Sequence, residues 1–433
     1  MGERSVCTGV GDVSAPAKLG FAAAALALCI ASGCSSSSSN APHGLAASAV
    51  SPAPAAPAGV AVAALQRLDW TALPADPLAP RDLAITAWTG HELLVVGGQR
   101  ASDGAAFTGA DAYDPQTRRW ELLPSFRLEA RDSPASAWTG YGLLVWGGTS
   151  TPDGHPEAGH ALRDGAIFDA THRRWSALPA GPLPALTGPV AVTDGADKVI
   201  ILGGVPATGS AGNAPVSRRV ASYDPATRKW RSLPAIPAVD GHDPVGLTAV
   251  RWGSRILAAG TWQHVVPAGP GATEISGGVD LFLLDPAQDR WSRFSVPSSY
   301  PLVGADLRPL GPYLVVAGGT MCPPGASCPY SLNTAFTLLN MRGKARGGIS
   351  GPPIKPGAQT DVGDSYVVMT GSQLTGAGHD VQPGDTAGFD LATSTWVTLP
   401  SARRFKPQPE SLTWTGHELI AASPDGMLAL GPN

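Results

Sequence analysis

A segment of about fifty residues recurs along most of this chain, and that repetition constrains the fold more than any other feature. Residues 79–120 run APRDLAITAWTGHELLVVGG…ADAYDPQTRRW, and 129–175 run EARDSPASAWTGYGLLVWGG…GAIFDATHRRW. Further copies carry VAVTDGADKVIILGG…ASYDPATRKW and LTAVRWGSRILAAG…LFLLDPAQDRW. The copies close on Trp70, Trp120, Trp175, Trp230, Trp291 and Trp396, with Arg346 in the one vacant slot, so successive members are spaced by one repeat length.

Each unit contains four strand candidates, a to d. In the second they are SPASAWTG, YGLLVWGG, DGAIFDAT and HRRWSALP. The b segments (LLVVGG, LLVWGG, VIILGG, YLVVAGG, SYVVMTG) are unbroken apolar runs, as expected of strands covered on both faces. Diglycines at 97–98, 147–148, 203–204 and 318–319 sit at one offset and are expected to relieve crowding between neighbouring sheets. The Asp-Pro-x-Thr segments read as type I turns between c and d, which makes their aspartates structural rather than metal ligands. Composition agrees. Gly and Pro make up about 22% of the chain (53 and 42 of 433) and charged residues only 15%, which suits short strands and tight turns, not long amphipathic helices. The net charge of −4 argues against a nucleic-acid partner.

Seven b strands can be found, the last being HELIAAS at 417–423, and the seventh unit runs out before its strand d. The segment Arg67–Pro74, RLDWTALP, is an orphan strand d at the other end. Pairing the two closes a ring and removes the open sheet edges. The expected fold is therefore all-β, a seven-bladed propeller over residues 65–433 closed by its terminal strands. This pattern resembles the kelch-repeat family over the whole of 65–433, on Gly97-Gly98, Tyr113, Trp120 and their equivalents. The same architecture forms the central domain of galactose-oxidase-like proteins. The fifth unit, FTLLNMRGKARGG, departs most, lacking both the Tyr and the Trp. Such propellers serve as protein-binding, sugar-binding and occasionally enzymatic scaffolds, so the resemblance speaks to fold more than to function.

The segment 1–64 reads as address and tether. Leu19–Ser32 is an apolar stretch too short to span a bilayer and suited to a secretory signal (residues 1–33). Ala31-Ser32-Gly33-Cys34 resembles a bacterial lipobox, with Ala31 where Leu is usual, which makes Cys34 the expected lipidation site. An ordinary signal peptide cut nearby is the alternative. Residues 34–64, rich in Ser, Ala and Pro, read as a flexible linker. The chain is thus expected to be exported, lipid-anchored at the bacterial cell envelope through Cys34, and monomeric. Cys322 and Cys328 are the two cysteines left, and an oxidising compartment favours a disulfide between them.

Strand order places the b–c and d–a connections on one rim, where the b–c loops are long (about 150–163, 205–217, 262–277, 320–332 and 373–384). The a–b and c–d turns on the other rim are tight. Binding residues collect on long loops held by a rigid scaffold, so the loop rim is the expected functional surface. Arg81 and Arg131 start strand a there. The kelch resemblance implies that an Arg in this position looks into the central depression and holds a ligand carboxylate, with Arg81 (APRD) matching better than Arg131 (EARD). The competing reading has both arginines pairing with local acids such as Asp82 and Asp132. Trp262 and His264 in the fourth b–c loop are further candidates for ligand contact.

His155, His160 and His379 share this rim with Asp153, Glu157 and Asp380, but no HxxxH or HxH spacing supports a metal site, and no cofactor is expected. A copper radical oxidase would need axial Tyr and His and a suitably placed Cys, and this constellation is not visible. A kelch-type mutarotase would need Arg, Glu and His converging at the axis, which the residues allow without a specific motif. The expectation is a non-catalytic binding module for a protein or glycan at the cell surface. The alternatives are a sugar-active enzyme, of mutarotase, epimerase or oxidase type, and an assembly scaffold with no small ligand.

Overall fold

The structure is a computed structural model, and it describes residues 62–431 apart from 79–80, 101–105, 152–158, 196, 207–214, 240–243, 270–271, 296–302, 321–335, 348, 350–353, 374–381, 403–408, 410 and 424–425. Only the backbone is described at 263–269, 272–278, 303–306, 318–320, 355–357, 372–373 and 382–384. The signal, Cys34, the linker up to residue 61, Cys322 and Cys328 therefore lie outside the described residues, as do His155 and His379.

Seven small antiparallel sheets form a seven-bladed β-propeller. Blade one has strands a to d at Ile85–Trp88, Leu93–Val96, Ala110–Asp114 and Arg119–Leu123, and blade two at Ala135–Thr139, Gly142–Trp146, Gly165–Asp169 and Arg174–Ala177. Blades three, four and six repeat the four-strand order. Among the described residues blade five has three strands, Val303–Leu310, Tyr313–Thr320 and Phe336–Asn340, where four were expected. The a strands of neighbouring blades lie against one another, in blades one and two, two and three, and seven and one, so strand a is innermost.

The ring closes as the sequence implies. Trp70–Ala72 pairs antiparallel with Gly426–Leu430, in the register Trp70 to Leu430 and Ala72 to Leu428, and supplies strand d of blade seven. Ahead of it, the short helix Val62–Leu65 buries Leu65 against the packing of blades six and seven.

The apolar packing is divided among the blades. Seven apolar clusters form among the described residues, one at each interface between adjacent blades. At the interface of blades one and two, for example, Leu94 and Ala112 meet Leu143 and Phe168. The b strands are buried throughout, at Leu93–Val96 and Gly142–Trp146 alike, because each is sandwiched between two neighbouring sheets.

The closing tryptophans join blade to blade. Trp120 Nε1 donates to the Pro74 carbonyl of blade seven at 2.9 Å, and Trp175 to Pro124, Trp230 to Pro179, Trp291 to Pro234 and Trp70 to Pro400 at 2.8–2.9 Å. Each acceptor lies one or two residues past strand d of the preceding blade. Where blade five lacks this Trp, Arg346 lies 5.6 Å over the Tyr313 ring and donates instead to the Leu391 carbonyl of blade six.

The diglycines have two jobs. In blades two and three the first glycine faces the next blade: a Cβ on Gly147 would lie 3.1 Å from Pro189, and one on Gly203 2.9 Å from Leu247. In blades one and two the second touches the chain ahead of its own strand a, where a Cβ on Gly98 would lie 2.7 Å from the Asp82 carbonyl oxygen. Both glycines of the pairs at 97–98, 147–148 and 203–204 have positive φ. Crowding between sheets thus explains the first glycine in blades two and three, while the left-handed backbone applies to both members of each of these pairs.

Candidate functional site

On the loop rim, Arg81 and Arg131 begin short strands, Arg81–Asp82 and Arg131–Asp132, which pair with Gln99–Arg100 and Thr149–Ser150 just past the diglycines. Both guanidiniums turn back into their own blade. Arg81 donates to Asp111 at 2.7 Å, to Asp76 at 2.9 Å and to the Gly97 carbonyl at 3.4 Å. Arg131 donates to the Gly147 carbonyl at 3.1 Å, to the Asp164 carboxylate at 3.1 Å and to the Glu129 carbonyl at 3.0 Å, and it lies over the Phe126 ring. Their side chains are 1% and 3% exposed, so neither presents its charge to solvent. They share no partner with each other among the described residues. Asp76 and Asp111 pair with Arg81, and Asp164 pairs with Arg131.

The group around Arg81 contains two carboxyls for one cation. Burial pushes Asp111 up to about 8, with the hydrogen bond to Asp76 adding to the rise and Arg81 opposing it. At Asp76 burial also disfavours the charge, but the bond from Asp111 and the Arg81 guanidinium outweigh it and hold the carboxyl below its usual range. Burial thus favours the protonated form at Asp111, and the Arg81 guanidinium favours the charged form at Asp76. Asp111 is fully buried, so the pair braces the rim and has no open face toward a substrate.

The fourth b–c connection is not a loop. Strands Arg255–Gly269 and Ala272–Asp285 stay paired from Ile256–Leu284 to Gly269–Ala272, with one irregularity at Pro267–Gly269. Strand a of this blade stops pairing at Thr261, so the ribbon beyond it projects by eight residues, roughly 25 Å at strand rise. Trp262, half-buried, stands at its root opposite Gly278, and His264 pairs with Ser276 on the ribbon. The structure thus places Trp262 and His264 together on one arm and the two arginines in the blades beneath the rim. His160 is tied locally, its Nδ1 lying 2.9 Å from the Ser150 hydroxyl. Among the described residues no group of three His, Cys, Asp or Glu side chains could hold a metal ion.

The turn rim is built from repeated local bonds. Asp114, Asp169, Asp224, Asp285 and Asp390 each accept backbone N–H bonds from the residues two and three positions on, closing the c–d turns. The residue that follows has positive φ: Arg118, Arg173, Arg228, Asp289 and Ser394. In the a–b turns, the Thr89, Thr139 and Thr415 hydroxyls accept N–H bonds from the turn backbone. These features agree with the structural role read from the Asp-Pro-x-Thr segments.

This rim nevertheless carries a cleft of about 610 Å³ between blades one and two. On its walls are Glu92, Trp120, Glu121, Trp138, Tyr141 and Arg173. Arg173 grips Glu92 with two bonds, at 2.5 and 2.8 Å, and reaches Glu121 at 3.2 Å. The Glu92 bonds come first among the influences that raise the Arg173 pKa above its ordinary value. Sequence reasoning passed over these residues because the turns are short. The available signal was a departure in the repeat: blades one and seven read WTGHEL, blade two WTGYGL. Tyr141 takes the place of a histidine and Gly142 that of a glutamate. Trp88 and Trp414 are 5% and 4% exposed, whereas the equivalent Trp138 is half-buried and faces the cleft.

No protein-family model matches this sequence, and no curated protein does. Among solved structures, that of YjhT aligns with 76% of this chain and 100% of its own, at 16% identity and a TM-score of 0.49.

Proposed function

We propose that the chain is an exported binding module of kelch type, lipid-anchored through Cys34 at the bacterial cell envelope, that recognises a protein or glycan partner with its loop rim. The observation that supports this reading is the asymmetry of the two rims. One is closed by short turns with internal caps, and the other carries the long connections, including the blade-four ribbon that projects past its own sheet. A rigid ring with one elaborated end is the usual arrangement for recognition. Trp262 and His264 on the ribbon make the contact in this reading. Arg81 and Arg131, committed to carboxylates and carbonyls of their own blades, hold the surface from which it projects. A disulfide between Cys322 and Cys328 is part of the same reading, since an exported protein meets an oxidising compartment.

Affinity capture from envelope extracts with the anchored protein tests this. Replacing residues 263–277 by a two-residue Asn-Gly turn removes the ribbon and keeps the hairpin, with Trp262 still opposite Gly278. A partner retained by the parent protein is expected to be lost with the trimmed variant, and weakened about tenfold or more by Trp262→Ala. Retention of the same partner at unchanged affinity by both variants excludes the ribbon as the recognition element.

A further inference from the structure

We propose that the cleft between blades one and two, on the turn rim, is a second binding site that takes a short neutral oligosaccharide. It lies on the opposite rim from the ribbon and stands or falls independently of the function proposed above. Its volume, about 610 Å³, is in the range of small-molecule sites, roughly 300–1,000 Å³. Its walls offer aromatic surface and fixed polar groups together. Trp120 is held in place by its bond to the Pro74 carbonyl and by the Tyr113 ring at 5.2 Å. Trp138 and Tyr141 come from the other blade, and Tyr141 is 51% exposed, one of the few large apolar side chains among the described residues that is left to solvent.

The ligand class follows from charge and shape. Glu92 and Glu121 share Arg173, and the walls carry Glu92, Asp114 and Glu121 against Arg119 and Arg173, an excess of a single negative charge, so the cleft has no strong field to select an ion. Those groups are already oriented by one another, while Arg173 is 33% and Glu121 61% exposed, which leaves donors and acceptors directed to a ligand at little ordering cost. A pyranose matches this set. Its C–H face lies on an indole or phenol ring, and its hydroxyls both donate to carboxylates and accept from a guanidinium. An apolar ligand would leave these polar groups unpaired, and a charged one would have to displace the Arg173 pairs.

The test is a titration of the folded protein with cellobiose, maltose and chitobiose, followed by tryptophan fluorescence and by saturation transfer from protein to sugar. Glucuronic acid and glucosamine serve as charged probes. Saturable binding of at least one disaccharide is expected, weakened tenfold or more by Tyr141→Ala and by Trp138→Leu, and unchanged by Leu122→Ala on the exposed outer strand of blade one. Tyr141→Ala removes an exposed side chain and keeps the test valid if Trp138→Leu does not fold. The proposal is overturned if no disaccharide binds, if binding survives Tyr141→Ala at full strength, or if a charged probe binds more tightly than the neutral ones.

Discussion

Asp111 shows what a single buried side chain contributes to this propeller and what it costs. It ties the start of strand c in blade one to Arg81 ahead of strand a, and Arg81 in turn holds Asp76 in the segment that follows the closing strand. Between the ordinary carboxyl value, about 3.9, and about 8, the folded protein keeps a proton that the unfolded chain has released. Stability therefore falls as pH rises through that window and levels off above it. Asp76 acts in the opposite sense, since its depressed value contributes stability that is lost only in acid. Asp111→Asn cannot ionise, yet it can still donate to Asp76 and accept from Arg81. Thermal unfolding from pH 4 to pH 9 is expected to show a shallower decline for this variant and a higher midpoint at pH 8. Parallel curves for the two proteins would mean that Asp111 is ionised in the fold.

At the level of the blade, the repeat is maintained by interactions that cross between sheets. The indole-to-carbonyl bonds recur from blade to blade, and beside them runs a set of charge pairs at one structural position. Glu121 of blade one meets Arg173 of blade two, and Arg231 of blade three meets Asp289 of blade four with the signs exchanged. Arg228 of blade three donates instead to the Ala177 carbonyl of blade two. Exposed ion pairs of this kind contribute about 0–1 kcal/mol each, so the tryptophans matter more. Trp175→Phe keeps an aromatic ring against Phe126 and Phe168 and deletes only the bond to Pro124. A loss of about 0.5–1.5 kcal/mol in denaturant unfolding is expected. A neutral result would make the shape of the ring, and not its N–H, the reason for Trp at this place in the repeat.

At the scale of the molecule, the sequence carried the ring well and the sites poorly, for a physical reason. Repeated apolar strands and a missing last strand specify architecture because every copy must pack on the next, so RLDWTALP could be assigned to a partner at the opposite end of the chain. Blade five was harder, since losing both Tyr and Trp removes the marks by which strand d is found. A side chain's direction has no such redundancy. Arg81 and Arg131 occupy a rim position, and only the fold shows that their guanidiniums turn inward to Asp111 and Asp164. The cleft by Trp138 was visible only as a change from TGHE to TGYG, where what matters is a side chain that is absent.

The closure between termini holds the whole account together, since every interface between blades depends on an uninterrupted ring. Backbone hydrogen exchange of the folded protein measures it most directly. The Leu73 amide donates to the Met427 carbonyl, and Trp70–Ala72 is paired along Leu428–Leu430. Protection of the paired amides in these two segments is expected to approach that of Leu143–Val145 in blade two, because opening the closing strand exposes the apolar clusters on both sides of blade seven. Fast exchange at Trp70–Leu73 and Gly426–Leu430, with blade two still protected, would contradict a propeller closed by its own ends.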